Sequence, residues 1–227
     1  MSNQTDPNTD NSPPEVEEVV VTGDFIYRGD DGNDTINAPM SGGTKVYGEG
    51  GIDRVIFTAL SSEAELSLME GEFSVKTDDR AATYLIDVER VTFDDTHLAI
   101  DLEGNAGVVA KTLGAVYGKD AITNTEFAGI GLLQLDNGMD AETLMDIALT
   151  ARLGDDFSDA ELINLLYSNV VGETPDQGEF DAYQDLLDSG QMNHAQLGML
   201  AAEHELNAVN IDLVGLAETG LAYDLAL

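Results

Sequence analysis

The chain has 227 residues with 43% hydrophobic content, enough for a real core in one large or two small domains, which argues against wholesale disorder. Its 44 Asp and Glu residues outnumber 9 Lys and Arg residues, and because a net charge of −35 repels phosphate groups, we expect neither nucleic-acid binding nor membrane insertion. A chain without cysteine forms no disulfide, thiolate metal site or cysteine nucleophile.

Carboxylates at this density must be screened by salt, spread over an extended surface, or neutralised by hard cations that prefer oxygen ligands. Calcium is the obvious candidate for such a cation. The alternative is the acidic surface of a salt-adapted protein, which serves solubility alone. Composition leaves both interpretations open, so the placement of motifs has to decide between them.

Residues 1–19 are polar and acidic, and we predict that they form a disordered acidic leader. They lack the basic flank and the apolar run of a secretory signal, and no later segment approaches the roughly 18 apolar residues of a membrane span. An exported protein with this sequence needs a route that does not use a cleaved N-terminal signal.

Glycine organises the next segment, because eight of the 23 glycines lie within residues 23–51. Such a density of glycine indicates tight turns. Residues 29–37 and 48–56 both fit the nonapeptide G-x-x-G-x-D-x-U-x, in which U is a large aliphatic residue. Residues 39–47 keep the same frame, but Thr44 replaces the aspartate.

This period has a mechanical interpretation. In each nonapeptide, six glycine-rich residues form a turn and three form a short strand, so that two nonapeptides make one circuit and residues about 18 apart stack. Asp34 and Asp53 then fall on one edge, and Thr44 falls on the opposite edge. Between the stacked turns, carboxylates and backbone carbonyls converge on a cavity of about six oxygens, which suits calcium and not a transition metal.

The predicted calcium ligands are the carboxylates of Asp34 and Asp53, with backbone carbonyls beside them from Gly29, Asp31, Gly48 and Gly50. With the turn glycines included, the predicted metal-site residues are Gly29, Asp31, Gly32, Asp34, Gly48, Gly50, Gly51 and Asp53. The alternative is a pair of Gly/Asp-rich hairpin turns that hold no ion.

Residues 20–56 resemble a short array of the calcium-binding nonapeptides of repeats-in-toxin (RTX) proteins. Asp30 and Glu49 stand where such arrays normally have a second glycine. The resemblance implies a short parallel β-roll that charge repulsion holds open at low cytoplasmic calcium and that millimolar external calcium closes. It also implies export by a type I system that reads an uncleaved C-terminus, and we assign residues 221–227 as the tail that carries this signal.

Apolar and polar residues alternate from residue 57 to residue 102, and polar turns interrupt the pattern. The alternation predicts antiparallel strands. We expect them to cap the end of the roll, whose last turn otherwise leaves an open apolar face and an edge without a partner strand. The roll and its β cap form the first predicted domain, residues 20–103.

The hydrophobic period becomes helical after residue 103, and residues 104–220 form the second predicted domain. Ser158 and Glu161 fit a capping box, and Asn193 is placed to cap a later helix. Short motifs recur about 50 residues apart, which indicates an internal duplication and about six helices. The predicted class is α+β: a short parallel β-roll with an antiparallel β cap, then a mostly α-helical bundle.

The helical half carries the motifs Leu-Tyr, Gly-x-x-Pro-Asp, Leu-x-Ser-Gly and Ala-Gln-Leu. In the spacing of these motifs, residues 104–210 resemble a helical domain of unassigned function that is common in large secreted bacterial proteins. That domain typically follows RTX repeats and is distantly similar to the phycobilisome linker fold. Glu173 and Tyr183 stand where this family usually has arginine and tryptophan.

The sequence contains no convincing catalytic constellation. Carboxylate pairs occur throughout, but no spacing fixes the separation that a glycosidase needs, and no G-x-S-x-G elbow is present. His194 and His204 are too far apart for ligation from i and i+4, so we interpret them as surface or cap residues.

We therefore predict a secreted, non-enzymatic, calcium-binding protein that is a structural or adhesive component of the bacterial cell surface or extracellular matrix. It is expected to contact protein partners or to self-associate through its helical domain. Two alternatives stay open. A carbohydrate-binding or accessory module of a secreted enzyme needs a site lined by aromatic residues, and here they make up 6% of the chain, without tryptophan. An acidic, salt-adapted soluble protein folds equally well with sodium and a calcium chelator.

Overall fold

The computed structural model describes residues 19–20, 26–38, 43–69, 71–77 and 81–225. The predicted acidic leader, apart from its last residue, lies outside the described residues, as do residues 21–25 and residues 39–42 of the nonapeptide that contains Thr44. The last two residues of the predicted C-terminal tail also lie outside them.

The described residues contain eleven β-strands and eight α-helices. The strands are β1 (Val19–Val20), β2 (Ile26–Arg28), β3 (Thr35–Asn37), β4 (Lys45–Tyr47), β5 (Arg54–Ile56), β6 (Ala64–Met69), β7 (Glu72–Thr77), β8 (Thr83–Ile86), β9 (Arg90–Thr92), β10 (His97–Ala99) and β11 (Leu221–Tyr223). The helices are α1 (Asn105–Tyr117), α2 (Thr125–Asp136), α3 (Ala141–Leu153), α4 (Asp159–Val171), α5 (Gln177–Asp188), α6 (His194–Ala202), α7 (Glu205–Asn210) and α8 (Leu213–Thr219). Two 3-10 helices, Ser61–Glu63 and Lys119–Thr123, lie in connections.

The aliphatic position of each nonapeptide is the centre of a three-residue strand. Ile36 in β3, Val46 in β4 and Val55 in β5 are fully buried, and the residues on either side of each are only partly buried. This burial follows from the strand period of two, which sends alternate side chains to opposite faces. Removing the side chains of these central residues from water stabilises the short strands.

The strands form two sheets. The larger sheet has the order β1-β3-β5-β9-β10-β11 and the smaller one the order β2-β4-β8-β7-β6. The pairs from β1 to β9 and from β2 to β8 are parallel, whereas β10, β11, β7 and β6 join by antiparallel pairing. Central apolar residues from both sheets pack into one core between them.

The predicted class α+β is confirmed, but the predicted architecture of a short parallel β-roll with a separate antiparallel β cap is wrong. Both sheets are mixed, because antiparallel strands extend the same sheets to which the nonapeptide strands belong. The physical reason is hydrogen bonding: β8 and β9 pair directly with the last nonapeptide strands, so no sheet edge is left at that point for a separate layer to cover.

The helix count also differs from the prediction of about six, because α7 and α8 follow α6 as two further short helices. The first residues of the predicted C-terminal tail form β11, which pairs antiparallel with β10. Asp224 extends this contact, because its backbone N–H donates to the carbonyl of Thr125 at the start of α2 over 2.9 Å. Residues 221–223 are therefore part of the larger sheet.

The predicted helix caps are confirmed. Ser158 and Glu161 form a reciprocal capping box at the start of α4, and Asn193 forms one with Gln196 at the start of α6. Asp176, directly after Pro175, caps α5, and Gly190 follows the helix with a φ of 69°. These local signals are readable in the sequence because each acts within one helical turn.

A buried ion-pair cluster joins the larger sheet to the helices. Arg90 in β9 is only 1% exposed, and its guanidinium contacts Asp101 at 2.5 Å and Asp136, the last residue of α2, at 2.6 Å. Asn105 at the start of α1 donates to the same Asp136 carboxylate at 2.8 Å. Because a buried guanidinium requires compensating charge, these contacts fix β9 against α1 and α2.

Candidate metal centre at the stacked turns

Three turns lie one above another on the same edge of the two sheets. We call them the first turn (residues 29–34), the second turn (residues 48–53) and the third turn (residues 87–89). Before the turns, strands β2, β4 and β8 pair in parallel register, and after them β3, β5 and β9 do the same. The register therefore places residue 87 beneath residue 48 and residue 89 beneath residue 53.

Backbone hydrogen bonds hold the turns in contact. The N–H of Gly29 donates to the Tyr47 carbonyl at 2.8 Å, and the N–H of Gly48 donates to the Ile86 carbonyl at 2.9 Å. A methyl group on Gly29 would overlap with a carboxylate oxygen of Asp34, and one on Gly48 would overlap with a carboxylate oxygen of Asp53. Glycine is thus required at the start of the first two turns because the carboxylates fold back against it.

The acidic residues at the ends of the turns form a ladder. The backbone N–H of Asp34 donates to Oδ1 of Asp53, 19 residues later, at 2.8 Å. The backbone N–H of Asp53 donates in the same way to Oε2 of Glu89, 36 residues later, at 2.7 Å. Each carboxyl group therefore lies one turn below the preceding one, and three acidic side chains are stacked along one edge.

Asp53, the middle carboxylate, is completely buried. Its Oδ2 has no hydrogen-bond partner among the described residues. Burial raises the pKa of Asp53 to about 7; the hydrogen bond from the Asp34 N–H opposes this rise, and the negative charges of Glu89, Asp34 and Asp30 add to it. Burial also raises the pKa of Glu89 above its ordinary value. An ionised Asp53 is thus costly in this site without a cation.

The predicted site residues divide into an inner and an outer group. Gly29, Asp34, Gly48 and Asp53 lie together at the inner side of the turns, where the Gly48 carbonyl oxygen and the Asp34 carboxylate both approach Gly29 closely. Asp31, Gly32, Gly50 and Gly51 form the outer part, where Asp31, Gly32 and Gly51 are exposed and Gly50 is partly so. There, the Gly50 N–H donates to the Asp30 carbonyl at 3.1 Å.

The outer part also depends on a close backbone approach. Gly51 has a φ of 120°, and a Cβ at this position would lie 2.6 Å from the carbonyl oxygen of Gly32 in the turn above. The side-chain oxygen of Asn33 accepts a hydrogen bond from the Ile52 N–H at 2.8 Å. The predicted glycine positions of the two nonapeptides are thus in direct contact, one turn above the other.

The nonapeptide pattern does not identify the third turn, because this turn contains no glycine and has three residues where the other two turns have six. Its signal is the tripeptide Glu89-Arg90-Val91, which repeats the acid-Arg-Val pattern of Asp53-Arg54-Val55. Both tripeptides lead into a strand of the larger sheet, and Val55 and Val91 are paired and buried.

The chemistry of these turns suits a hard cation. Every side chain in the ladder offers carboxylate oxygens, and no Lys or Arg among the described residues forms an ion pair with Asp34, Asp53 or Glu89. No three Asp, Glu or His side chains of the described residues converge to hold a metal ion. An ion bound at these turns would therefore need main-chain carbonyl oxygens as well as carboxylates, a ligand set that calcium accepts.

The histidines have structural partners. Nε2 of His194 lies 2.6 Å from Oδ1 of Asp159, and Nδ1 of His97 lies 3.1 Å from Oγ1 of Thr92. His204 caps α7, since its side chain accepts from the Leu206 N–H at 3.2 Å. These contacts agree with the interpretation of His194 and His204 as surface or cap residues.

Among the described helices, none has both the length and the apolar character needed to cross a bilayer.

Comparison with known proteins yields one match. Residues 143–206 match the family model of a domain of unknown function, DUF4214, and the matched segment runs from α3 into α7. No curated protein and no solved structure matches the chain. The candidate metal centre lies outside the matched segment, so its chemistry has to be argued from its own geometry.

Proposed function

We propose that this protein is a non-catalytic, calcium-binding component of the cell surface or extracellular matrix that folds fully when calcium binds at the stacked turns. The observation that supports this proposal is the ladder of Asp34, Asp53 and Glu89, three stacked carboxyl groups that form no ion pair with a Lys or Arg side chain among the described residues. A divalent cation between the first and second turns neutralises this charge and takes oxygen ligands from both turns.

The proposed ion lies between the first and second turns, bound by the carboxylates of Asp34 and Asp53 and by main-chain carbonyls of Gly29, Asp31, Gly48 and Gly50. Calcium fits better than magnesium because a site assembled from several carbonyls and flexible turns tolerates irregular coordination, whereas magnesium demands near-ideal octahedral geometry. Without the ion, repulsion between the stacked carboxylates opposes closure of the turns. Binding is therefore coupled to folding of this edge.

We place the protein outside the cell on the basis of this coupling and of the resemblance to RTX repeats. Sites in extracellular modules bind calcium with dissociation constants of roughly 10⁻⁴ to 10⁻³ M, so they fill outside the cell and stay empty in the cytoplasm. A chain that folds only after export suits type I secretion, which passes an unfolded polypeptide.

The helical part is the proposed interaction surface, and we propose a second copy of the chain as its partner. Phe127, Ile130 and Ile147 are exposed and line an open apolar groove between α1, α2 and α3. A net charge of −35 opposes association of two copies until cations screen it. Assembly through this groove should accordingly depend on calcium.

Thermal melting with calcium, with magnesium and with chelator tests the proposed cation. Calcium is expected to raise the melting temperature strongly and magnesium weakly. The matched control is Asp94→Asn, since Asp94 is an exposed carboxylate away from the turns. This variant should respond like the wild type, whereas Asp34→Asn should show a clearly smaller rise in melting temperature with calcium. Identical melting in all three solutions refutes calcium binding and supports an acidic, salt-adapted protein.

Sedimentation velocity tests the proposed assembly. The wild type should form dimers or larger species in calcium and remain monomeric with chelator. Ile130→Asp places a charge in the groove and should abolish assembly, whereas Val209→Asp alters an exposed apolar residue of α7, outside the groove, and should not. Assembly that persists in Ile130→Asp would show that the groove is not the interface.

A further inference from the structure

The buried oxygen Oδ2 of Asp53 indicates a bound ligand that the glycine repeats of the sequence do not predict. Oδ1 of this carboxylate is engaged by the Asp34 N–H, but Oδ2 is buried without a hydrogen-bond partner among the described residues. Buried polar atoms are almost always satisfied, so an orphaned carboxylate oxygen requires an explanation. The position of Oδ2 provides this explanation, because the atom faces the third turn and not the first.

Two gaps between the turns have the same construction. In the first gap, between the first and second turns, Oδ2 of Asp34 and the Gly48 carbonyl oxygen both lie where a methyl group on Gly29 would overlap or nearly touch them. In the second gap, between the second and third turns, Oδ2 of Asp53 and the Asp87 carbonyl oxygen hold the same relation to Gly48. Each gap thus pairs a carboxylate oxygen from the turn above with a carbonyl oxygen from the turn below.

The two gaps differ in how far their oxygens are already satisfied. Oδ2 of Asp34 accepts a hydrogen bond from the Asp30 N–H at 3.0 Å, and Asp34 is only partly buried. Oδ2 of Asp53 accepts none, and Asp53 is fully buried. The second gap therefore has the greater need for a positive ion.

The third turn is shaped to supply ligands to this gap. Asp87 has a φ of 51°, a left-handed conformation that is uncommon for a residue other than glycine, and its carbonyl oxygen lies against Gly48. Glu89 follows two residues later, and its Oε2 already lies at the level of Asp53, where it accepts the Asp53 N–H. The Asp87 carbonyl thus lies near the orphaned oxygen, and a second carboxylate, that of Glu89, is held at the backbone of the same residue.

We propose that the second gap is a second cation position, in which Asp53 Oδ2, the Asp87 carbonyl oxygen and the Glu89 carboxylate bind a calcium ion, with water completing its coordination. This position deepens the proposed calcium binding and rests on it. Asp53 then bridges two ions, with one oxygen directed to each gap, and the ladder binds one more ion than the two nonapeptides predict.

Native mass spectrometry of the full chain in calcium, combined with calorimetric titration of calcium chloride, counts the ions and measures their affinities. The wild type is expected to bind two ions at the turns. Glu89→Gln keeps an oxygen that accepts the Asp53 N–H but removes the charge. It should bind one ion tightly, and its affinity for the second ion should fall at least about tenfold, because even the loss of a residue that only hydrogen-bonds to a metal ligand weakens metal binding by that factor. Asp34→Asn should also lose one ion, from the first gap. Glu103→Gln, which alters an exposed carboxylate, should keep two.

The outcomes separate the two proposals. If the wild type binds no calcium, both the proposed function and the second position are wrong. If it binds calcium and Glu89→Gln keeps the wild-type number of ions and affinity, only the second position is wrong. Glu89→Asp is a second variant that retains the charge, and it should bind two ions with weakened affinity. If Glu89→Asp binds two ions and Glu89→Gln binds one, the charge of the side chain, and not its packing, holds the ion.

Discussion

Asp53→Asn is expected to stabilise the calcium-free protein at neutral and alkaline pH while abolishing most of its response to calcium. The substitution keeps an oxygen that accepts the Asp34 N–H and replaces the orphaned Oδ2 with an amide that can donate to the Asp87 carbonyl oxygen, which lies close by. A buried charge without a cation is thus replaced by a neutral group with a hydrogen-bond partner. Stability and calcium binding should therefore change in opposite directions.

The magnitude follows from the pKa of Asp53. Burial raises this pKa from 3.8 to about 7, and one pKa unit corresponds to about 1.36 kcal/mol, so ionising Asp53 in the folded protein costs about 4 kcal/mol. Because the folded state holds the proton more tightly than the unfolded state, the contribution of protonated Asp53 to stability is full below about pH 4. It declines as the pH rises from about 4 to about 7 and is lost above that range.

Urea denaturation with chelator present, repeated between pH 4 and pH 9, measures this effect. Between pH 4 and pH 7, the wild type should lose up to about 4 kcal/mol more of unfolding free energy than Asp53→Asn does. Asp94→Asn changes an exposed carboxylate and should follow the wild-type profile. The reasoning is refuted if Asp53→Asn is less stable than the wild type above pH 7 without calcium, or if both profiles have the same slope.

Two further predictions concern the fold around the site. Arg90→Met leaves the partly buried carboxylates of its ion pairs without a partner and should cost about 3–5 kcal/mol of unfolding free energy, whereas Lys111→Met, which removes a pair with an exposed partner, should cost about 1 kcal/mol or less; urea denaturation compares them. Gly48→Ala forces a methyl group against the Asp87 carbonyl and the Asp53 carboxylate, so it should cost about 1–3 kcal/mol and weaken calcium binding in calorimetry. Gly138→Ala meets no atom within 4 Å and should cost about 1–2 kcal/mol through its positive φ alone, with unchanged calcium binding. Equal calcium affinity in Gly48→Ala and the wild type would contradict the placement of the ions.

The local sequence was sufficient to predict features that depend on short-range geometry. The nonapeptide period placed Asp34 above Asp53, and their strands are indeed paired 19 residues apart. The caps Ser158 and Asn193 were also readable, because each acts within a single helical turn. Glycine, aspartate and aliphatic residues at fixed spacing were enough to predict which turns stack and which strand centres are buried.

Tertiary structure alone decided what lies next to the repeats. Glu89 joins the ladder through pairing of β9 with β5, across 36 residues and without a glycine signal, and Arg90 finds Asp136 on a distant helix. Pairing of β11 with β10 brings residues 221–223 into the larger sheet. The sequence by itself determined the periodic turns and the helix ends, since these depend on local dihedral preferences and hydrogen bonds. The mixed sheets, the third turn and the burial of Asp53 depend on contacts between distant segments, which no local pattern specifies.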